Sequence, residues 1–366
     1  MELILENINH ALKDVLEPDL KKSIVELGLV SGIDIRGNVI SFTVKVSSPA
    51  LHSKKLVHDA CVEHIRKTFG ANVQVNINIQ PLPGAKERTP ELRKLLPGVK
   101  HIIAIASGKG GVGKSTITAN LAVALAKRGA GVGLVDADIY GPSMPLMFNA
   151  VDQKPRVTEV LGKPIMEPLE SHGVKLLSIG FFAESKQAIP WRGPMVSKAL
   201  MQLFEDANWG KLDYLLVDLP PGTGDIHLTL IQKIPLTAAI IVSTPQEVAL
   251  ADARKGINMF QMQGLKVPIL GLIENMAYYL YDGTSENRDY IFGKEGVKKL
   301  AEEMNIPLLG EIPLIRSVRE AGDNGKPAAL ESGTLAESLF QEIAGKIERQ
   351  LRNSDSIKEH MRITGG

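Results

Sequence analysis

With 366 residues, the chain is longer than one typical domain and long enough to bury a large core. Composition is ordinary globular, with 44% hydrophobic and 23% charged residues, and a formal net charge of +1 argues for neither nucleic acid nor an anionic membrane as a main partner. No run approaches the roughly 18 apolar residues of a membrane-spanning helix, and Met1–Glu6 lacks the basic start of a signal peptide. The single cysteine, Cys61, excludes an intrachain disulfide, so a cytoplasmic protein is expected.

In chain order, residues 1–80 predict a small α/β domain. Ile4–Leu16 has a helical pattern, and Gly32–Arg36 and Val39–Val46 are strand-like, with Gly37-Asn38 as the hairpin turn between them. Ser53–Phe69 places Leu56, Val57, Ala60, Cys61, Ile65 and Phe69 on one helical side, and Val73–Ile79 alternates as a third strand. Residues 81–100 are proline-rich and charged without clean periodicity, which predicts a linker.

From residue 101 to 352, β-rich apolar runs alternate with helical patterns. This is the signature of a doubly wound, mostly parallel sheet. The expected strands are His101–Ser107, Val132–Asp136, Val174–Ile179, Tyr214–Leu219, Ala238–Thr244, Ile269–Glu274 and Leu308–Ile312. Thr334–Leu351 predicts a closing helix with Leu335, Leu339, Phe340, Ile343, Ile347 and Leu351 on one side, and residues 353–366 a polar tail.

Between the first of these strands and a helical run lies Gly108-Lys109-Gly110-Gly111-Val112-Gly113-Lys114-Ser115-Thr116, which fits G-x-x-x-x-G-K-[ST]. Glycines let successive backbone N–H groups converge on an anion, and the helix start adds its positive dipole end. Lys114 supplies a charge for the β/γ-phosphates and the Ser115 hydroxyl a Mg²⁺ ligand. The sequence therefore predicts an α/β P-loop NTPase domain preceded by a small α/β domain.

Acidic residues end several of the expected strands, where open α/β sheets gather their ligands. The first such segment is Asp136-Ala-Asp138, the second Asp218-Leu-Pro-Pro-Gly-Thr-Gly-Asp225, and the third Glu274-Asn275-Met276. Apolar residues leading to an Asp make Asp218 the candidate Mg²⁺ holder, although an Asp at a strand end also serves as a turn former or helix cap. The segment after Asp218 could move when a γ-phosphate leaves.

A lysine directly after the first P-loop glycine, Lys109, resembles the deviant Walker A group of P-loop ATPases, which includes ParA, MinD and the nitrogenase iron protein. The resemblance implies an ATP-hydrolysing homodimer in which Lys109 reaches the partner's nucleotide. It also implies that Asp138 orients the attacking water, Asp136 supports Mg²⁺ and Asn275 hydrogen-bonds adenine.

Further strings narrow the likeness: Asp136–Ser143 (D-A-D-I-Y-G-P-S), Trp191–Met195 (W-R-G-P-M), Asp218–Asp225 (D-L-P-P-G-T-G-D), Ser243–Leu250 (S-T-P-Q-E-V-A-L), Glu274–Met276 and Tyr290–Gly293. Together they resemble the Mrp/ApbC family of iron–sulfur cluster carriers. Residues 1–80 are similar to the small domain that precedes the ATPase in many such proteins, through Glu17–Leu20, Gly28–Val30 and Ser48–Ala50.

That resemblance implies cluster transfer from scaffold to apo-client proteins, with ATP, Mg²⁺ and an iron–sulfur cluster as bound groups, and neither nucleic acid nor membrane as partner. The family's C-x-x-C is absent: Tyr281 and Thr284 stand at its positions, and Leu51 stands where the small domain usually has a cysteine. Cys61 sits on an apolar helical side, as a core cysteine does, and the cluster ligands are left open. The alternatives are a positioning ATPase of the ParA or MinD sort and a cluster-free, nucleotide-switched adaptor.

Overall fold

The computed structural model describes residues 3–17, 22–46, 51–70, 72–81, 95–160, 163–182, 193–280 and 288–364, with the backbone alone at 51–56, 81, 160, 163, 193–194 and 354–364. Tyr281, Thr284, Trp191, Arg192 and Ser48–Ala50 lie outside the described residues. The chain forms two compact units, Met1–Thr89 and Pro90–Gly366.

In the first unit, α1 (Leu5–Leu12) precedes β1 (Val30–Arg36), β2 (Val39–Val46), α2 (Leu51–Phe69) and β3 (Gln74–Pro81). The sheet order is β1-β2-β3. A tight turn joins the antiparallel pair β1–β2, whereas β2 and β3 run parallel and need α2 as their crossover. Alternation along β2 buries Ile40, Phe42, Val44 and Val46 against Ile8 and Leu12 of α1 and Val57, Cys61 and Ile65 of α2. Helix α1 stops at Leu12, short of the expected Leu16, because the next residues fold back. Leu16 bridges Ser23, and the N–H of Ile24 bonds the carbonyl of Val15.

The second unit is built on a nine-stranded sheet. Its strands in chain order are β4 (Val99–Ala106), β5 (Val132–Asp136), β8 (Leu169–Ser171), β9 (Val174–Ser178), β10 (Leu212–Asp218), β11 (Ala238–Ser243), β12 (Ile269–Leu280), β13 (Arg288–Asp289) and β14 (Leu308–Leu314). A separate hairpin, β6 (Arg156–Val160) with β7 (Lys163–Glu167), lies off it. The spatial order is β13-β12-β11-β4-β10-β5-β9-β8, with β14 also on β12. The pairings of β4, β5, β9, β10, β11, β12 and β14 are parallel, and β8 and β13 add antiparallel pairings.

Helices cover both faces: α3 (Lys114–Lys127), α4 (Met144–Met147), α5 (Gly193–Glu205), α6 (Asp225–Lys233), α7 (Glu247–Gln261), α8 (Gly296–Glu303), α9 (Arg316–Asp323) and α10 (Leu335–Thr364). Residue alternation on β4 shows why. Ile102, Ala104 and Ala106 join a core with Leu200 and Phe204 of α5, Leu230 of α6, Ile257 and Phe260 of α7 and Leu300 of α8. Ile103 and Ile105 face the opposite core, with Ile117, Leu121 and Leu125 of α3 and Phe340, Ile343 and Ile347 of α10. Strands buried on both faces need continuous apolar runs, and β4, β5, β10 and β11 have them.

Several expected boundaries shift. Leu96, inside the expected linker, is buried in the second unit's core, and β4 starts at Val99. Strand β12 runs six residues past Glu274 to Leu280, and α10 continues to Thr364 through the stretch expected as a polar tail. Strands β6, β7, β8 and β13 are not apparent from patterning. Strand β6 is exposed and β7 only half-buried, so no apolar stripe marks the hairpin.

Phe340 is fully buried and Leu335 is 45% exposed, though both lie on the patterned side of α10. Phe340→Ala is expected to cost about 3–5 kcal/mol in urea unfolding, and Leu335→Ala less than about 0.5. Burial pushes the Cys61 thiol up to about 12. Native protein at pH 8 is expected to leave Cys61 unmodified by a chromogenic disulfide reagent until denaturant is added.

Candidate functional site

Strand β4 ends at Ala106, the chain crosses Ser107–Gly113, and α3 begins at Lys114. Two glycines in this loop are compelled by their surroundings. Gly113, the N-cap of α3, holds φ +82°, and a side chain there would overlap the Asn275 amide. A side chain on Gly108 would overlap the backbone of Asp252 in α7. Lys109, Gly110 and Gly111 are exposed at the mouth of the loop, while Val112 is buried and pins it. Gly113 makes no side-chain cap, so the first N–H groups of α3 are not capped by a side chain and face an anion's position with the helix dipole behind them.

Parallel register sets the acids beside this loop. Asp218 on β10 pairs with Ile105 on β4 and with Asp136 on β5, and Asp136 pairs with Ser178 on β9. Lys114 Nζ lies 2.8 Å from Asp218 Oδ2 and 3.7 Å from Asp138 Oδ2, with its side chain only 5% exposed. The Ser115 hydroxyl donates to Asp218 Oδ2 at 2.6 Å, and Thr118, one turn along α3, donates to Oδ1 at 2.8 Å. Asp218 is thus satisfied entirely by the P-loop helix. Two hard oxygens, Ser115 Oγ and Asp218 Oδ2, lie together at the loop's edge, the donor chemistry that suits Mg²⁺.

Asp136 faces the other way. Its Oδ1 accepts the N–H of Asp138 at 3.2 Å, and its Oδ2 accepts the N–H of Met144 at 3.1 Å and the Ser178 hydroxyl at 2.8 Å. With both oxygens taken, it braces the loop that carries Asp138. Burial, then the neighbouring Asp218 carboxylate, pushes Asp136 above the usual carboxylate range. Burial also raises Asp138, and Lys114 pulls it back. Asp138 Oδ1 accepts the N–H of Tyr140, which leaves Oδ2 on the Lys114 side.

Asn275 is buried on β12 and donates from Nδ2 to the carbonyl of Val112 at 2.8 Å, so it grips the P-loop from behind. Its neighbour Glu274 accepts the N–H of Val297 at 2.6 Å and thereby fixes the start of α8. The Lys109 side chain makes no ion pair among the described residues, and its carbonyl accepts the Ser107 hydroxyl at 3.0 Å. Every P-loop residue named from the sequence, Gly108 to Thr116, sits on this one edge with Asp136, Asp138, Asp218 and Asn275.

Thr118, Ser178 and His227 were not legible in the sequence. Thr118 lies one helical turn beyond Lys114, a spacing that could have flagged it. Ser178 and His227 carry no such signal. No group of three or more His, Cys, Asp or Glu side chains among the described residues is arranged to hold a metal ion. Cys61 is buried in the core of the first unit. No described helix is long and apolar enough to cross a membrane.

Comparison with known proteins agrees with this geometry. Residues 98–348 match a family described as NUBPL iron-transfer P-loop NTPase, and residues 5–77 match one described as iron-sulfur cluster assembly protein. The chain is 41% identical over 350 residues to the iron-sulfur cluster carrier protein of Synechocystis sp., covering 94% of this chain and 98% of that protein. It is 48% identical over 267 residues to the Arabidopsis thaliana iron-sulfur protein required for NADH dehydrogenase, covering 72% and 82%. Among solved structures, a nucleotide-binding protein of Archaeoglobus fulgidus in complex with ADP aligns with a TM-score of 0.57 at 36% identity, over 67% of this chain and 95% of that one. The cell division ATPase MinD of Pyrococcus furiosus aligns at 0.50 and 25%, over 68% and 99%. The chain therefore belongs to the iron–sulfur cluster carrier family of P-loop NTPases.

Proposed function

We propose that the protein binds MgATP at Gly108–Thr116, hydrolyses it as a homodimer, and couples that cycle to carrying iron–sulfur clusters from a scaffold to apo-proteins. The observation that carries the nucleotide half is the convergence of Lys114, Ser115 and Thr118 on Asp218 at 2.6–2.8 Å. The carrier half is supported by the family of both units and by the names of its relatives.

The uncapped N–H groups of Gly108–Thr116 cradle the phosphates, and Lys114 neutralises the β- and γ-oxygens. A bound Mg²⁺ would offset phosphate charge, with Ser115 and Asp218 as the residues that hold it. Asp138 accepts a hydrogen bond from the attacking water, Asp136 holds the Asp138 loop, and Asn275 keeps the P-loop in place through the Val112 carbonyl. Water adds to the γ-phosphorus, the bond to the β–γ bridging oxygen breaks, and ADP and phosphate leave. Lys109, exposed and unpaired among the described residues, reaches the partner's nucleotide in the closed dimer and meets its transition-state charge.

A carried cluster draws thiolates from the scaffold or client, because this chain has one cysteine and it lies in a core. That same fact favours a second reading, an adaptor whose nucleotide state exposes a protein-binding face without a cluster. The positioning-ATPase alternative fits less well. A membrane-targeting helix needs a free apolar side, and Phe340, Ile343, Ile347 and Leu351 of α10 spend theirs on the core.

Lys114→Ala and Asp138→Ala are each expected to reduce ATP turnover at least 100-fold (on the order of an electrostatic contact to the transition state), with Asp138→Ala still binding ATP in calorimetry. Lys109→Ala should lower kcat more than it weakens nucleotide affinity, and an unchanged kcat would remove the role in trans. Iron and sulfide analysis after anaerobic incubation with a loaded scaffold, followed by transfer to an apo-client, tests the carrier half. Absence of both binding and transfer leaves the adaptor.

A further inference from the structure

The buried imidazole of His227 has no part in the chemistry assigned above. It lies in the first turn of α6, which begins directly after the Asp218–Gly224 segment, and is 1% exposed. Its Nε2 is enclosed by protein and meets no hydrogen-bond partner among the described residues. A buried polar nitrogen left unpaired is costly, and each one in a native fold calls for an explanation. Burial, reinforced by the Lys114 charge, holds its pKa down to about 4. The ring is therefore neutral at ordinary pH and lies within the field of the P-loop lysine.

Its position in the chain ties it to the segment between β10 and α6. The segment between β10 and α6 is fastened to the P-loop at its middle, where the N–H of Gly222 bonds the carbonyl of Ser107 at 3.0 Å. Pro221 faces Gly110 of the loop. Beyond that fastening, Thr223, Gly224 and Asp225 are exposed, and the N-cap Gly224 offers no side-chain bond to α6. The segment is thus bonded to the phosphate loop at Gly222 and exposed to solvent at Thr223–Asp225, and the buried imidazole follows three residues after Gly224.

We propose that His227 is a positioning residue for the terminal phosphate: its Nε2 gains a hydrogen-bond partner from the 219–224 segment when that segment closes over a nucleoside triphosphate. This rests on the reading of Gly108–Thr116 as a nucleotide site. In the empty and diphosphate states the imidazole stays unpaired, and the closed state recovers the missing bond. The site thereby gains affinity for a triphosphate over a diphosphate through a residue that touches neither.

The test compares wild type with His227→Phe, which keeps the ring and loses the nitrogens, and with His227→Gln, which restores a polar atom near Nε2. Calorimetry with ADP and with a non-hydrolysable ATP analogue, both with Mg²⁺, gives the ratio of the two affinities, and thermal melting reports folding. His227→Phe should melt no lower than wild type, bind ADP within twofold, and bind the triphosphate analogue about tenfold more weakly. His227→Gln should recover most of that loss.

An unchanged affinity ratio in His227→Phe overturns the proposal, as does a parallel loss of melting temperature and ADP affinity in both variants. The ratio needs no hydrolysis, so a wild type that binds both nucleotides without turnover would sink only the ATPase reading. A wild type that binds neither would overturn both.

Discussion

The nucleotide end of the molecule depends on one buried cation. Lys114 keeps its ammonium among Asp218, Asp138 and the Ser115 hydroxyl with almost no access to water. Stripping water from a charge costs several kcal/mol, and only close, well-directed partners offset it. Asp218 supplies that partnership because the adjacent helix saturates both of its oxygens. The arrangement also readies the site for its ligand. An entering phosphate tail would offer Lys114 an anion beyond Asp218 and Asp138, and the Asp218 carboxylate already stands beside the serine oxygen suited to a hard cation.

Backbone register is what brings these groups together. Ile105, Asp218, Asp136 and Ser178 form one row across four parallel strands, so two acids that are 82 positions apart in the chain end at the same height. Two carboxylates in one row repel, and the row resolves this by turning each to a different donor set. Asp218 takes the P-loop helix, and Asp136 takes Ser178 and the backbone of the loop leading to α4. Strand β12 closes the site from the other side, with Asn275 on the P-loop and Glu274 on α8. The phosphate loop and the strand that precedes residues 281–287 are therefore joined by a direct hydrogen bond.

The family relation and the missing cysteines pull in different directions, and the physical chemistry decides which feature bears on each. The phosphate site needs backbone amides, a lysine and oxygen donors, and all are present in bonding arrangement. A cluster needs accessible thiolates, and the one thiol of this chain is buried among Ile65, Val57 and Phe42 with its proton held tightly. Thiolates from a partner, as proposed above, would reconcile the two, and the phosphate site does not depend on their origin.

The sequence determined the P-loop, the strand-ending acids and the alternating α/β plan, because each is written in local spacing: glycines before a lysine, apolar runs closing on an Asp, helical periods between them. It missed the hairpin β6–β7, whose exposed and half-buried strands need no apolar stripe, and it stopped β12 at Glu274, where the pattern does not announce six further strand residues. Only the tertiary structure decided what each acid bonds. Strand order inserts β10 between β4 and β5 long after both have been made, and that placement puts Asp218 under Lys114 and leaves Asp136 as a brace. The same holds for Asn275 behind Val112 and for the unpaired nitrogen of His227. Such partnerships arise between segments distant in the chain, and local spacing carries no record of them.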